Sequence, residues 1–114
     1  MAEDAFEVKV VERDDGARVI ELTGTVNRAA KEAMEAAYEE TRSGRVILDF
    51  TAVDYINSTG IAVIVGLLAM ARAEGRQVGA FGLTDHYREV FQITRLADFM
   101  TIYDDKSAAV SAGV

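Results

Sequence analysis

The chain has 114 residues, 50% of them apolar and 27% charged, and its 12 Lys and Arg against 19 Asp and Glu leave a net charge of −7. This size and composition suit one hydrophobic core, so we expect a single domain over residues 1–114, and the acidic balance without a basic cluster excludes general affinity for nucleic acid or anionic lipid. The absence of cysteine excludes disulfides and thiolate chemistry and favours a cytoplasmic protein.

Two strands are predicted first, because apolar and polar residues alternate along residues 6–10 and again along residues 20–23. The Asp-Asp-Gly sequence at residues 14–16 is typical of a turn, so these strands are expected to form a hairpin. After Gly24 the apolar residues recur at spacings of three and four, with glutamates on the other side. This period predicts an amphipathic helix that ends at Gly44.

The remaining elements alternate between strand and helix. Residues 45–50 are too continuous in apolar residues for a strand with one wet face, so we place this strand in the centre of the sheet. The uninterrupted run at residues 61–74 is too long for a strand and predicts a helix that stops at Gly75. Four further elements complete the pattern, in chain order a strand at residues 78–83, a helix capped at residues 84–85, a strand at residues 100–103 and a weak terminal helix from Asp104.

This order of elements predicts the fold class. We expect one α/β domain with a mixed sheet of four to five strands, an N-terminal hairpin and about four helices. If the crossover connections are right-handed, the loops after the second strand and after the central strand open at the same edge of the sheet. The Ala/Ser-rich tail from about residue 107 is expected to fray.

The most informative segment is the loop between the central strand and the most apolar helix. Asn57 is a good N-cap residue, and Ile56 and Ile61 then occupy the two positions whose contact makes a hydrophobic staple. Ser58 and Thr59 become the first two helical residues, among unpaired N–H groups at the positive end of the helix dipole. Two roles are open for these hydroxyls. They are simple capping groups, or they mark a position where a bound or attached anion is favoured.

Gly60 indicates a close approach, because glycine in a helix costs about 1 kcal/mol relative to alanine. The approaching group is either a neighbouring strand or the backbone of a partner. In the second case, Gly60→Arg weakens partner binding and leaves the thermal midpoint close to that of the wild type. The helix also lacks a polar face from Ile61 to Ala71, so it is either covered on all sides or shows apolar surface to a partner.

Residues 46–50 (Val-Ile-Leu-Asp-Phe) and 56–61 (Ile-Asn-Ser-Thr-Gly-Ile) together resemble the hallmark of the STAS domain, which bacterial anti-sigma factor antagonists and sulfate permease tails share. The resemblance extends over nearly the whole chain, from the hairpin to the closing strand at residues 102–103. In this family a serine or threonine just after an aspartate is phosphorylated with ATP by the partner, an anti-sigma factor that is itself a kinase. The resemblance implies that Ser58 is the phosphorylated residue.

Two positions depart from the family pattern, each with an amide in place of an acid. The aspartate before the phosphorylated residue is Asn57 here, and the acidic residue often found after the glycine of the second strand corresponds to Asn27. Both changes remove a negative charge near Ser58 and keep hydrogen-bonding capacity. Two consequences are open: the phosphate is tolerated more easily, or the usual kinase no longer recognises the site.

The resemblance implies an anti-sigma factor antagonist whose unphosphorylated form sequesters an anti-sigma factor and serine kinase and so frees a sigma factor, with a phosphatase as a further partner. The first alternative is a STAS scaffold or ligand-sensing domain that does not switch and belongs to a larger signalling assembly. The second is a small enzyme with carboxylates near Ser58, against which the lack of cysteine, of a histidine pair and of a phosphate loop argues. We expect the partner surface to comprise the residues around the phosphorylation site, namely Asn27, Tyr55, Ile56, Asn57, Ser58, Thr59, Gly60 and Ile61.

Neither a metal, a cofactor nor a membrane is indicated. His86 is the only histidine, whereas an ordinary zinc site needs three or four His, Cys or carboxylate ligands. The acidic amino terminus lacks the features of a signal peptide. The longest uncharged segment has its apolar part only at residues 61–71, while a bilayer requires about twenty residues. We therefore expect no catalytic residue, no metal site and no membrane partner.

Overall fold

The computed structural model describes residues 6–12 and 17–111, so the predicted turn at residues 14–16 lies outside the described residues. The strands and helices are, in chain order, β1 Phe6–Glu12, β2 Arg18–Val26, α1 Lys31–Glu40, β3 Val46–Ile56, α2 Ser58–Ala73, β4 Val78–Phe81, α3 Asp85–Ile93, β5 Thr101–Ile102 and α4 Lys106–Ser111. Single turns of 3-10 helix precede α1 at Arg28–Ala30 and β5 at Leu96–Asp98.

The five strands form one mixed sheet in the order β1-β2-β3-β4-β5. β1 pairs antiparallel with β2, from Phe6 opposite Gly24 to Glu12 opposite Arg18. The pairs β2-β3, β3-β4 and β4-β5 are parallel, and each is connected through a helix. The predicted fold class, a single α/β domain with a mixed sheet, an opening pair of antiparallel strands and four helices, is confirmed.

Hydrophobic clusters occupy both faces of the sheet. On one face, α1, α2 and α3 contribute Met34, Leu67 and Phe91 to the cluster that contains Leu48 of β3. Ile47, which precedes Leu48 in β3, belongs to the cluster on the other face, together with Ala109 of α4. Since successive strand residues point to opposite faces, the first half of β3, residues 46–50, is buried on both sides. This burial confirms the central position predicted from its continuous apolar run.

The C-terminal helix α4 is packed rather than frayed. Ala109 is fully buried, and the guanidinium of Arg45 donates hydrogen bonds of 2.8 Å to the carbonyl oxygens of Ala109 and Val110. Carbonyls in the last turn of a helix have no partner within the helix, so the arginine supplies one from the start of β3. The prediction that the tail frays from about residue 107 is therefore wrong as far as Ser111.

β3 is longer than predicted, and its extra length carries the chain to the start of α2. We expected the strand to end at Phe50, but it continues to Ile56, which pairs with Val26 at the end of β2. Two register irregularities each insert one extra β3 residue into this part of the ladder. Tyr55 and Ile56 are consequently strand residues, and the prediction of a loop at these positions is wrong.

The neighbour on the other side, β4, ends early. Its pairing with β3 stops at Phe81 opposite Asp49, two residues short of the predicted strand end. The chain then turns at Gly82, whose φ is +86° and whose missing Cβ would lie 2.6 Å from the backbone nitrogen of Thr51. The second half of β3 therefore has β2 on one side and no strand on the other.

Helix α2 is apolar on two faces, and one of them is exposed. Ile64 and Leu67 lie in the core, whereas Ala62, Val65 and Ala69 on the opposite face are exposed, Val65 at 46% of its surface. Of the two alternatives, a fully covered helix is wrong, and the helix shows apolar surface to the outside. With 16 residues, α2 is the longest helix in the described ranges. No helix in these ranges is long and apolar enough to cross a bilayer.

Candidate functional site

Helix α2 begins at the edge of the sheet where β2 and β3 end. Asn57 is its N-cap: the backbone is extended, and the side-chain Oδ1 accepts a hydrogen bond of 2.8 Å from the backbone nitrogen of Gly60. This is the capping geometry predicted from the sequence. Ile56 before the cap and Ile61 after it pack in the same hydrophobic cluster, as a hydrophobic staple requires.

The end of β2 is built in the same way. Asn27 caps the 3-10 turn Arg28–Ala30, and its Oδ1 accepts a hydrogen bond of 2.9 Å from the backbone nitrogen of Ala29. Both amide residues that depart from the family pattern are thus N-caps, and each cap uses an oxygen that an aspartate also has. The site keeps the shape that an acid would give it and lacks the charge.

Two hydrogen bonds join these neighbouring caps. The backbone nitrogen of Asn57 donates to the carbonyl oxygen of Val26 at 3.2 Å. The backbone nitrogen of Arg28 donates to Oγ1 of Thr59 at 2.9 Å. The prediction that the chain leaves the second strand and the central strand at the same edge of the sheet is therefore confirmed.

The adjacent hydroxyls of Ser58 and Thr59 have different surroundings. Thr59 is half-buried, and its Oγ1 donates to Oδ1 of Asn57 at 2.8 Å while it accepts from Arg28. Ser58 is exposed, and its hydroxyl forms no hydrogen bond with the part of the chain that the structure describes. Of these two hydroxyls, therefore, only that of Ser58 is exposed and makes no hydrogen bond that supports the site.

Gly60 packs against the end of β2. A Cβ atom at this position would lie 2.0 Å from the carbonyl oxygen of Val26 and 2.6 Å from its carbonyl carbon. Gly60 is also buried, so a partner does not reach its Cα. Close internal packing is thus the reason for the glycine, and on this ground we now expect Gly60→Arg to lower the thermal midpoint.

Exposure divides the residues that we expected on the partner surface. Ile56 and Gly60 are buried and support the site from beneath, so their assignment as partner contacts is corrected. The others reach solvent fully or in part, and these are Asn27, Tyr55, Asn57, Ser58, Thr59 and Ile61. None of the six carries a formal charge, but the exposed charged residues Arg28 and Asp54 are next to Asn27 and Tyr55 in the chain.

The exposed apolar face of α2 was not included in the predicted site. Ser58, Ala62, Val65 and Ala69 follow at spacings of four, three and four, and all are exposed. Residues at these spacings lie on one side of a helix. Ser58 therefore lies at the amino end of an exposed apolar face of α2. The sequence signal for this face was the lack of polar residues along the helix.

A second contact that the sequence did not indicate comes from α3. The hydroxyl oxygen of Tyr87 accepts a hydrogen bond of 2.9 Å from the backbone nitrogen of Ile56, and it lies 3.5 Å from the carbonyl oxygen of the same residue, to which it donates. The two residues are 31 positions apart. No local pattern predicts such a contact, because it depends on how α3 packs.

The described ranges, 6–12 and 17–111, contain no group of three or more His, Asp or Glu side chains placed to hold a metal ion. The hydrogen bonds on either side of Ser58 are formed by the amide of Asn57, the hydroxyl of Thr59 and the backbone N–H groups of Arg28 and Gly60. The arrangement suits recognition of a surface and modification of one hydroxyl.

The model of the STAS domain family matches residues 9–109, which is most of the chain, and the chain therefore belongs to the STAS domain family. The anti-sigma-B factor antagonist of Listeria monocytogenes is 31% identical over 98 residues, which cover 83% of this chain and 86% of that protein. An anti-sigma factor antagonist from Mycobacterium paratuberculosis has a similar crystal structure, with a TM-score of 0.75, 21% identity and coverage of 96% of this chain and 94% of that one.

The fold is also similar to that of SpoIIAA in two chemical states. The TM-score is 0.69 for its unphosphorylated form, with 20% identity and coverage of 96% of each chain. For the phosphorylated form of the Bacillus protein the TM-score is 0.67, with 19% identity and coverage of 96% of this chain and 100% of that one. The same fold thus accommodates the phosphorylated and the unphosphorylated state of that protein.

The Asn57 cap leads to a stability prediction. Asn57→Ala removes the acceptor for Gly60 and Thr59, so we expect the free energy of unfolding to fall by about 1 kcal/mol. Asn57→Asp keeps the acceptor and adds a negative charge at the helix amino end, so we expect unchanged or slightly higher stability. Urea denaturation of both variants and the wild type checks this. Equal losses in the two variants would contradict the capping role.

Proposed function

We propose that this protein is an anti-sigma factor antagonist that works by partner switching. Its unphosphorylated form binds and sequesters an anti-sigma factor that is also a serine kinase, and a sigma factor is thereby released. The kinase phosphorylates Ser58 with ATP and ends the binding, and a phosphatase restores the binding-competent form. The protein acts in the cytoplasm as a binding module and catalyses no reaction itself.

The accessibility of the Ser58 hydroxyl is the observation that carries this proposal. A kinase must bring the γ-phosphate of ATP in line with a hydroxyl oxygen that it can reach. Ser58 is exposed at the first position of α2, whereas the neighbouring Thr59 hydroxyl holds Asn57 and Arg28 in place. Phosphorylation of Ser58 therefore leaves the hydrogen bonds of the site intact.

The surroundings of Ser58 support a protein partner. The exposed side chains of Tyr55, Ala62 and Val65 are apolar or aromatic, and they lie close to the capped end of α2 or on the face that follows Ser58. Exposed apolar surface of this kind is typical of binding sites for other proteins. A hydroxyl at its end places a modifiable group in the contact surface.

The family relationship supports the choice of partner. The Listeria monocytogenes relative is named for its action against an anti-sigma factor, and it aligns with most of the chain. The two departures at Asn27 and Asn57 retain the capping oxygens. We infer that the cognate kinase recognises this surface by its shape and without the two acidic charges.

The test is phosphorylation in vitro. The protein is incubated with ATP and, one at a time, with the purified anti-sigma factor kinases of its organism, and phosphopeptides are located by mass spectrometry. We expect one phosphate, on Ser58, and none on Ser58→Ala. A phosphate on Thr59 alone, or none from a kinase that phosphorylates another antagonist, would contradict the assignment. Binding without phosphorylation would favour the scaffold alternative.

A further inference from the structure

The end of β3 has backbone groups that no strand can satisfy. Successive residues of a strand direct their N–H and C=O groups to opposite neighbours. The backbone nitrogen of Asn57 donates to Val26 on the β2 side, so the N–H and C=O of Ile56 face the β4 side. β4 ends opposite Asp49, and no strand reaches Ile56 from that side.

The hydroxyl of Tyr87 takes the place of the missing strand. Ile56 is only 5% exposed, and a buried N–H group without a partner is unfavourable. A tyrosine hydroxyl donates one hydrogen bond and also accepts. A single oxygen therefore accepts the hydrogen bond of the Ile56 N–H at 2.9 Å and makes a longer, weaker contact of 3.5 Å with the carbonyl oxygen.

The position of this hydroxyl is itself well defined. Tyr87 is the third residue of α3, and its backbone nitrogen donates to Oγ1 of the N-cap Thr84 at 3.3 Å. Its ring packs against the main hydrophobic cluster and contacts the ring of His86 edge to face at 4.8 Å. The cap of α3 and the cap of α2 are in this way connected through one side chain.

We propose that Tyr87 is a positioning residue for the phosphorylation site. Its hydroxyl fixes the last peptide of β3 and so sets the direction in which Asn57 and Ser58 leave the sheet. The effect on phosphorylation rests on the proposed function, whereas the effect on the conformation of residues 56–60 does not. Through Tyr87, α3 thereby helps to fix the position of Ser58, although it contributes no residue to the predicted partner surface.

The test uses Tyr87→Phe, which removes one oxygen atom and keeps the ring. Tyr103→Phe is the matched control, because Tyr103 packs in the cluster on the opposite face of the sheet. In Tyr87→Phe we expect the amide hydrogen of Ile56 to exchange about tenfold faster than in the wild type. NMR chemical shifts should change mainly at residues 56–60, and the control should leave all these signals unchanged.

The kinetic readout is phosphorylation of Ser58 by the kinase that modifies the wild type. Because misplacement of a reacting group lowers the rate of its reaction, we expect kcat/KM to fall by about three- to tenfold in Tyr87→Phe. Tyr103→Phe should react like the wild type.

Two results would overturn the proposal. One is a lower melting temperature of Tyr87→Phe with unchanged exchange at Ile56 and an unchanged spectrum of residues 56–60, which would make Tyr87 a packing residue. The other is an altered spectrum with unaltered phosphorylation kinetics. If no kinase modifies even the wild type, the proposed function fails, and the exchange and NMR data alone decide whether Tyr87 positions the site.

Discussion

Phosphorylation of Ser58 is expected to weaken binding to the anti-sigma factor by a few hundredfold and to leave the fold unchanged. A phosphoserine carries about −1.5 to −2 charges at neutral pH, which moves the chain from −7 to roughly −9. The added charge falls on a surface whose accessible predicted partner residues are all uncharged. A set of uncharged contact residues thus gains a strongly anionic group.

The loss of affinity has a physical cause in desolvation. In the complex, the phosphate must shed water against apolar surface such as Ala62, one helical turn away, or face acidic and phosphate groups of the partner. We expect a penalty of about 3 to 4 kcal/mol, which corresponds to the few hundredfold change in Kd. The helix itself is not strained, because a negative group at the first position of α2 meets the favourable end of the helix dipole.

Calorimetric titration of defined forms against the anti-sigma factor measures this effect. Ser58→Asp should lose part of the affinity, because one carboxylate has less charge and fewer acceptor atoms than a phosphate. Ser58→Ala should bind like the unphosphorylated protein even after incubation with kinase and ATP. Equal affinities of the wild-type and phosphorylated proteins would favour the scaffold alternative. A loss of helical circular dichroism on phosphorylation would refute a rigid switch even if binding fell.

Substitution of the two glycines of α2 should change stability in opposite directions. A Cβ at position 60 would lie 2.0 Å from the Val26 carbonyl oxygen, which also accepts the hydrogen bond from Asn57. Relief of this overlap requires the helix and β2 to separate, so Gly60→Ala should cost about 3 kcal/mol or more. The thermal midpoint should fall by about 10 °C.

Gly66 is the matched control, since it lies in the same helix and is exposed, and a Cβ there meets no atom within 4 Å. Gly66→Ala should therefore raise the free energy of unfolding by about 0.5 to 1 kcal/mol, because alanine is the better helix former. Thermal and urea denaturation of the two variants provide the comparison. A stable Gly60→Ala protein would show that β2 yields easily and would reopen the question of why the glycine is there.

The order of elements was predictable because the period of the apolar residues changes along the chain from two to about 3.6 and back. The second half of β3 was not predictable in this way. Residues 51–55, with the sequence Thr-Ala-Val-Asp-Tyr, neither alternate strictly nor form an apolar run, because they pair on one side only and contain bulges. Such a segment resembles a loop when it is considered without its neighbour.

In the site, too, the features that depend on neighbouring residues in the chain were predictable, and those that depend on tertiary packing were not. Asn57 as a cap and the neighbouring Ile56 and Ile61 follow from residues within one turn of each other, and the structure agrees. The reason for Gly60 depends on which backbone lies behind the helix, and this is decided by the sheet order. The contact between Tyr87 and Ile56 likewise forms only after α3 has docked.

The hydrogen bonds from Arg45 to the carbonyl oxygens of α4 determine where this domain can be joined to another one. Arg45 immediately precedes β3 and Ser58 follows it, and an eleven-residue strand is about 33 Å long. Polypeptide attached after α4 therefore starts at the far end of β3 from Ser58. A fused sensor module or a fluorescent reporter placed there would leave room for a docked partner at the other end of β3.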